Sequence, residues 1–571
     1  MRRDRDRIRH RQAAPAPAAT TSSRWPASVL VLIVLVGGVL RLADLRESPP
    51  GLNQDEASNA WNAYCLLKTG MDQTGVRWPV FSTRCFGENR STLYLYWVIP
   101  FEAIGGLNVW TTRLPSAVGG VLTLLLVYYI GGRMFGRTTG LVAAGLLALN
   151  PWHIQQSRWG HEAALCPLLV AATVAAILWA NLPFDDADRR PRPLRAILAG
   201  ALAGISCYGY PAMRAFLPVF VVAAVLVTWP AWWGMLKTRR GGLAIAAIVA
   251  SGAVTFGPLA WKHVTESSEM GKRLQTTRVW NSGDPLVKKV LAVLSRYPGH
   301  FGPDFLFVRG DQFEIQAPPG CGQFHWYMMP LMLAGLAVTV RRFRASRAAR
   351  VLLVGVITYP AGDCLSAHLN NSMHALRSLP GLVGLILLGA VGAVWIGSWL
   401  YQRHRPAMWA TISVFAMVVV ALNVRFLNQF FVEFNRRPLI YHMYHTDLME
   451  ACEWLKPKLD SVDAVFCTTQ GMNMPYAITL VGLSYDPRQW LQDQRAMGTS
   501  GPWEVYVWYG KMHFLYDDLA NDAINQLKNN GRPDRVVFIV RPGEVKGLGQ
   551  PSHVINRPDG QAVLLIYEQA M

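Results

Sequence analysis

The sequence predicts a polytopic α-helical membrane protein with a C-terminal α/β domain, and three observations carry that prediction. Apolar windows long enough to cross a bilayer recur from about residue 27 to residue 427 of the 571-residue chain. The composition suits them, with 51% hydrophobic residues, only 16% charged residues and a mean hydropathy of +0.19. Beyond residue 428 the long apolar runs give way to short helix-like and β-branched segments.

The first apolar run, VLVLIVLVGGVLRL, follows the basic stretch MRRDRDRIRHRQ. That start resembles a secretory signal, but the run is too long and has no clean small-x-small cleavage site. It is expected to be a retained span behind a basic cytoplasmic tail, residues 1–24, in which the Ala/Pro-rich QAAPAPAATT reads as disordered. Eleven spans are expected, near 27–45, 114–132, 138–151, 163–182, 195–211, 214–233, 242–260, 324–340, 351–367, 379–400 and 407–427.

A net charge of +19 raises the question of a nucleic-acid partner, and the placement of the charge answers it. The basic residues gather in short loops: RMFGR at 133, DDADRRPRPLR at 185, KTRR at 237, RRFRASRAAR at 341 and YQRHR at 401. The positive-inside rule assigns these loops to the cytoplasm, so the expected surroundings are membrane lipids and no nucleic acid. The alternate connections Pro151 to Glu162, Tyr210 to Arg214 and His368 to Arg377 carry one Arg each and are assigned to the outer face. A further apolar run, LYLYWVIPFEAIGGL at 93–107, would put every Arg-rich loop on the wrong face if it crossed. It is expected to be re-entrant or interfacial on the outer side. The spanning domain then covers 25–427, with outer loops 46–113 and 261–323 and an outer domain 428–571.

In that last domain HTDLMEACEWLKPKL and DDLANDAINQLKNNG read as helices, and DAVFCTT, RVVFIV and AVLLIY as strands. The pair Gly510-Lys511 lacks the upstream glycine of a phosphate loop. Eight cysteines form no C-x-x-C pair, which excludes zinc-ribbon and thioredoxin readings. Cys65, Cys85, Cys321, Cys452 and Cys467 fall on the outer side, where disulfides and buried thiols are both open. His161-Glu162 begins like a zinc-protease H-E-x-x-H motif, but Leu165 stands at its fifth position.

The stretch ESPPGLNQDEASNAW follows the first span directly. Pro49-Pro50-Gly51 ends that span, and Asn53 with Glu56 three residues on resembles a capping box that opens a helix. Ala57, Trp61 and Tyr64 form an apolar stripe, while Asp55, Ser58, Asn59 and Asn62 form a polar one, so an amphipathic helix on the outer leaflet is expected. Both acids suit the positive end of the helix dipole. Asp55, on the polar stripe, also faces whatever cavity the spans enclose, where an unpaired carboxylate is costly unless used. Glu162 holds the equivalent place on the next outer connection, beside Arg158 and His161, and Glu88 lies two residues before Arg90. With Arg90, Arg158, Arg214 and Arg377 these acids read as a site for a phosphate-bearing substrate and a carboxylate base. Glu56, Arg158 and His374 are candidate supporting residues. A transporter or lipid flippase would place charges near the midplane of several spans, whereas here nearly all lie at outer ends. A non-catalytic envelope-assembly subunit is the other alternative, against which the acid pair speaks.

The runs PPGLNQDEASNAWNAYCLLKTG, RLPSAVGG, NPWHIQQSRWGHEA, YPAMRAF, HFGPDFLFVRGD with PPGCGQ, and HALRSLPGL, in this order over most of residues 25–400, resemble the bacterial GT-C membrane glycosyltransferases. The branch is that of the protein O-mannosyltransferases and the aminoarabinose transferase of lipid A. The resemblance implies the GT-C fold, a polyprenyl-phosphate-linked sugar donor, and inverting transfer on the extracytoplasmic face to a hydroxyl of a glycan, lipid or protein. By position it implies Asp55 as the essential first-loop acid, Glu162 as the second-loop acid and Arg90 as the residue that meets the donor phosphate. The negative charge on the leaving lipid phosphate also needs stabilising, a task assigned to Arg90 with Arg214 or Arg377. The family's Lys-Pro-Pro is Arg90-Ser91-Thr92 here, which exchanges a point charge for a planar fork. The resemblance also makes a divalent metal ion a candidate cofactor, with Glu88 at the position of a metal-binding acid and its His partner to be sought among His263, His300 and His325.

Overall fold

The structure, a computed structural model, describes residues 25–266, 272–368, 372–516 and 534–570. The basic tail 1–24 and the helix-like DDLANDAINQLKNNG lie outside the described residues. In chain order the N-terminal half forms α1 (Trp25–Leu42), α2 (Gln54–Thr69), α3 (Leu93–Gly105), α4 (Val109–Phe135), α5 (Arg137–Ala148), α6 (Pro151–Gln156), α7 (Cys166–Trp179), α8 (Pro193–Ser206), α9 (Pro211–Val227), α10 (Trp229–Leu236) and α11 (Arg239–Thr265). The helices Met328–Arg341, Arg347–Thr358, Leu382–Arg403 and Arg405–Asn428 complete the bundle, so each expected span has its helix.

Among the described residues, five helices are long and apolar enough to cross a membrane, or six if α9 and α10 form one span bent by 76°. That bend corrects the expected continuous span at 214–233. Pro230 sits in the first turn of α10, where it lacks the N–H that would carry the helix through. Most of the segment 93–107 forms the 13-residue α3, with Pro100 inside it and Tyr94, Leu95 and Val98 packed against Ala63, Leu66 and Leu165. Close packing within the bundle rests on small residues. A Cβ at Gly200 of α8 would stand 2.1 Å from the Ile248 carbonyl of α11, and one at Gly204 would stand 1.9 Å from Thr255 Oγ1.

Three of the Arg-rich connections meet at one end of the bundle. Asp185 accepts from Arg133 at 3.1 Å and Arg189 at 2.7 Å. Asp188 accepts from Arg347 at 2.6 Å, and Asp186 from the Ser346 hydroxyl at 2.6 Å.

Two features of the loop after α1 were not expected. Strands β1 (Thr83–Cys85) and β2 (Glu88–Arg90) form an antiparallel hairpin whose turn residues, Phe86 and Gly87, both have positive φ. In addition, α2 does not lie on a lipid surface. It is buried between the bundle and the C-terminal helices Pro475–Gly482 and Pro487–Gln492, with Trp61 edge-on to Trp490 at 5.9 Å. The apolar stripe of α2 faces protein because the C-terminal domain supplies a matching aromatic surface.

That domain is built on a seven-stranded sheet with the order β4-β5-β6-β3-β7-β9-β8. The strands are β3 (Ala464–Thr468), β4 (Arg495–Ser500), β5 (Trp503–Tyr509), β6 (Met512–Leu515), β7 (Arg535–Val540), β8 (His553–Asn556) and β9 (Ala562–Ala570). The strands read from the sequence are β3, β7 and β9, of which β3 runs parallel to its neighbours β6 and β7. The helix read at HTDLMEACEWLKPKL is Thr446–Leu455. All eight cysteines are free thiols.

Candidate active site

The N-terminus of α2 is fixed by its own sequence. Asn53 caps it, with its side-chain oxygen accepting from Asp55 N at 3.0 Å while Glu56 reaches back to Asn53 N at 3.2 Å. This orients the two adjacent acids differently. Glu56 points into the bundle, fully buried, and takes Arg113 Nε and Nη2 at 2.8 and 2.9 Å. Its Oε1 also accepts Gly160 N–H at 2.8 Å. Position 160 has to be glycine, since a Cβ there would stand 2.9 Å from the Thr112 carbonyl. With both oxygens engaged, Glu56 joins α2, α4 and the loop before Glu162 rather than facing the site.

Asp55 turns the other way and meets the end of the β1–β2 hairpin. Arg90 Nη2 donates to Asp55 Oδ1 at 2.5 Å, and Arg90 lies over the Phe86 ring. Burial opposes the Arg90 charge, but Asp55 and then Glu162 outweigh it and push the guanidinium pKa up. Its Nη1 is buried with no protein partner. Arg90 is therefore a fixed cation with one donor arm unclaimed.

The second acid arrives from the connection after α6. Glu162 opens a 3-10 turn, Glu162–Leu165, capped by His161, whose Nδ1 accepts Ala163 N–H at 3.0 Å. Asn59, one turn along α2 from Asp55, donates to Glu162 Oε2 at 3.2 Å and to the Gly160 carbonyl at 3.1 Å. His161 stands between the acids, with Nε2 3.8 Å from Asp55 Oδ2 and Nδ1 3.6 Å from Glu162 Oε2. Because Nδ1 accepts, the ring proton of neutral His161 sits on Nε2, the atom nearer Asp55. The same ring packs edge-on to Tyr210 at 5.8 Å. One turn into α9, Arg214 donates to Ser91 Oγ at 3.1 Å and stands 3.2 Å from His263 Nε2. Asp55, Arg90, Glu162 and Arg214 thus come from four separate stretches to one neighbourhood.

Other sequence candidates go elsewhere. Arg158 is fully buried and donates to the carbonyls of Ala43 at 2.6 Å and of Asp44 and Ser48 at 2.9 Å, closing the C-terminal end of α1. Arg377 lies 3.6 Å from Asp363, a buried acid shared with His300 at 3.1 Å and Arg296 at 3.4 Å. His374 lies 3.4 Å from Asp311, which His368 also meets at 2.8 Å. The three histidines considered as partners of Glu88 stand in different places. His263 stands beside Arg214, His300 beside Asp363, and His325 against the Phe426 ring. Among the described residues, the donor set that converges within metal-binding distance is Asp311, His368 and His374. Sequence reasoning singled out neither Asn59 nor Arg113 for these roles, and it set His161 aside with the protease motif. Their signal was present, since Asn59 shares the polar stripe of Asp55 and Arg113 opens RLPSAVGG.

Comparison with known proteins places this geometry in a known fold. Residues 91–256 match the family described as dolichyl-phosphate-mannose-protein mannosyltransferase. That stretch holds Glu162 and Arg214. A putative mannosyltransferase of Bacillus subtilis, YycA, is 24% identical over 238 residues, which make up 39% of this chain and 32% of that protein. The match therefore spans about a third of the relative's length. The structure is similar to that of ArnT from Cupriavidus metallidurans bound to undecaprenyl phosphate, at 14% identity, with a TM-score of 0.56 over 95% of this chain and 98% of that one. It is similar too to the apo state of that protein, at 14% identity, with a TM-score of 0.53 over 95% and 97%. The chain is a multi-pass membrane protein with the GT-C fold expected from its sequence.

Proposed function

We propose that this chain is a glycosyltransferase that moves a sugar from a polyprenyl-phosphate-linked donor to an acceptor hydroxyl of a protein, lipid or glycan, with inversion, on the extracytoplasmic face. The observation that carries the reading is the Asp55 carboxylate held between the half-buried Arg90 cation and His161 at one end of a membrane bundle. A fold relative with undecaprenyl phosphate bound and a family match to a dolichyl-phosphate-dependent transferase both support a lipid-phosphate donor.

In this reading the acceptor oxygen attacks the anomeric carbon as its proton passes to Asp55, and the bond from that carbon to the lipid phosphate breaks on the opposite side. A hydroxyl is a weak nucleophile, and a positioned carboxylate is typically worth about a hundred- to ten-thousandfold. The departing phosphate gains negative charge, which the unclaimed arm of Arg90 and the nearby Arg214 stabilise. Glu162, fixed by Asn59, adds a second carboxylate that helps hold Arg90 charged. The loop 261–323 covers the donor and the domain 428–571 shapes the acceptor side. The test uses the full-length chain in lipid nanodiscs with polyprenyl-phosphate-linked mannose or aminoarabinose, reading released polyprenyl phosphate. Release by the wild type that Asp55→Asn suppresses supports the reading, and equal release by both overturns it.

A further inference from the structure

We infer that Asp311, His368 and His374 form a binding site for a divalent cation of the zinc class, which clasps the end of the loop 261–323 to the connection that precedes Leu382–Arg403. The site goes beyond the transfer reaction, and it involves neither Glu88 nor any residue assigned to donor or base.

The three donor atoms lie within 4.8 Å of one another and come from two segments well apart in sequence. His368 Nε2 is 2.8 Å from Asp311 Oδ1, and His374 Nδ1 is 3.4 Å from Asp311 Oδ2. The two imidazoles stack at 4.1 Å, which sets both edges against the same carboxylate. Two nitrogens and one carboxylate oxygen are a donor set that suits zinc and its neighbours and disfavours magnesium or calcium.

His374 Nδ1 lies 3.3 Å from Leu376 N and 3.4 Å from Asp311 Oδ2, so the ring nitrogen is aimed at the carboxylate from the first turn of its own segment. The carboxylate has the supports that a ligating acid needs, since Asp311 also accepts Phe313 N–H at 2.9 Å and Ala375 N–H at 2.7 Å. Asp311 is buried, while the His368 side chain remains 9% exposed and the His374 side chain 11% exposed, which leaves a way in for the ion. Three protein ligands leave a fourth tetrahedral position for water.

The clasp reaches the proposed active site through the backbone. Beyond Asp311 the loop accepts Gln155 Nε2 at the Ile315 carbonyl, 3.2 Å, and Gln156 Nε2 at the Gln316 carbonyl, 3.3 Å. Both glutamines end α6, directly before the turn that carries His161 and Glu162.

The test measures metal in the full-length chain purified in detergent with a tag free of histidine. Near-stoichiometric zinc is expected, together with the visible bands of tetrahedral cobalt when Co2+ is supplied instead. Asp311→Asn and His368→Asn should each weaken binding by more than the about 10- to 100-fold that loss of an outer-shell support costs. Glu88→Gln should leave the metal content unchanged. A wild-type chain that takes up neither zinc nor cobalt overturns the site whatever the variants do. So does metal that both ligand variants retain, or that Glu88→Gln removes. If one variant does not fold, the other and the cobalt spectrum of the wild type decide.

Discussion

Arg90 and Asp55 are joined by a hydrogen bond of 2.5 Å although 35 positions separate them. The bond links the open end of the β1–β2 hairpin to the first turn of α2, so the proposed phosphate ligand and the proposed base are built as one unit. Asp55→Asn keeps the shape and the helix start but removes the basic oxygen. Turnover should fall about a hundred- to ten-thousandfold with donor affinity nearly unchanged, because a base acts mainly in the transition state. Arg90→Ala should weaken donor binding as well as turnover. Single-turnover kinetics beside equilibrium binding of the lipid donor distinguish the two, and a large affinity loss in Asp55→Asn with intact turnover would reverse the assignment.

Arg214 and Arg377 were equivalent on sequence grounds and are not so in space. Arg214 borders Ser91, the residue after Arg90, whereas Arg377 offsets the buried Asp363. A hydrogen bond to a charged group is worth about 1.5–3 kcal/mol, so Arg214→Ala should raise the Kd for polyprenyl phosphate about 10- to 150-fold. Arg377→Ala should act on thermal stability first. Titration of both variants with polyprenyl phosphate checks the contrast, and a greater affinity loss at Arg377 would contradict it.

Glu56 and Arg113 form a fully buried pair, 0% exposed on both sides. Removing one partner of such a pair leaves a bare charge and costs about 3–5 kcal/mol. Glu56→Gln should therefore lower the stability of the detergent-solubilised protein by that order, and Glu56→Gln with Arg113→Met should recover part of it. Denaturant titration gives the numbers. A single variant as stable as the wild type would mean that the pair contributes nothing net.

Some of this was legible in the sequence. The capping box at Asn53 could be read because a cap is local, and the difference between Asp55 and Glu56 was half visible in the stripe that Asp55 shares with Asn59. The bundle was legible because lipid demands long apolar runs. What the sequence did not reveal depends on distant partners. Nothing near Glu56 announces Arg113, and nothing near Arg158 announces the carbonyls at the end of α1. The hairpin turn at Phe86-Gly87 lacks the Asn-Gly signal by which such turns are usually read. Strand β5, WEVYVWY, is aromatic and half-buried, and it becomes a strand by pairing with β4 and β6.

The expected membrane orientation makes a separate prediction. Asp185, Asp186 and Asp188 hold Arg133, Ser346 and Arg347, so the loops at 185 and 341 occupy one end of the bundle. Single cysteines at the exposed positions Ala187 and Ala345 should resist an impermeant thiol reagent in intact cells, while cysteines at Ser282 and Ser500 should react. Labelling of Ala345→Cys from outside would invert the protein.

Trp61 and Trp490 make the last prediction, because they show what the C-terminal domain does for the site. α2 has no lipid-facing side to rest on: Trp61 meets the Trp490 edge, and Trp490 Nε1 donates to the Gln73 carbonyl at 2.9 Å. The domain thus forms one wall of the seat of Asp55, and deleting 428–571 would disturb donor and acceptor use together. A single substitution separates the effects. Trp490→Ala opens a cavity against Trp61 and should cost about 3–5 kcal/mol. It leaves Asp55, Arg90 and Glu162 chemically intact. Amide exchange along Gln54–Thr69 should speed up, and turnover should fall through a loosened Asp55 rather than a missing one. Faster exchange in the C-terminal sheet with α2 unchanged would show that α2 is held by the bundle alone, and the acceptor side would then be the only role left for the domain.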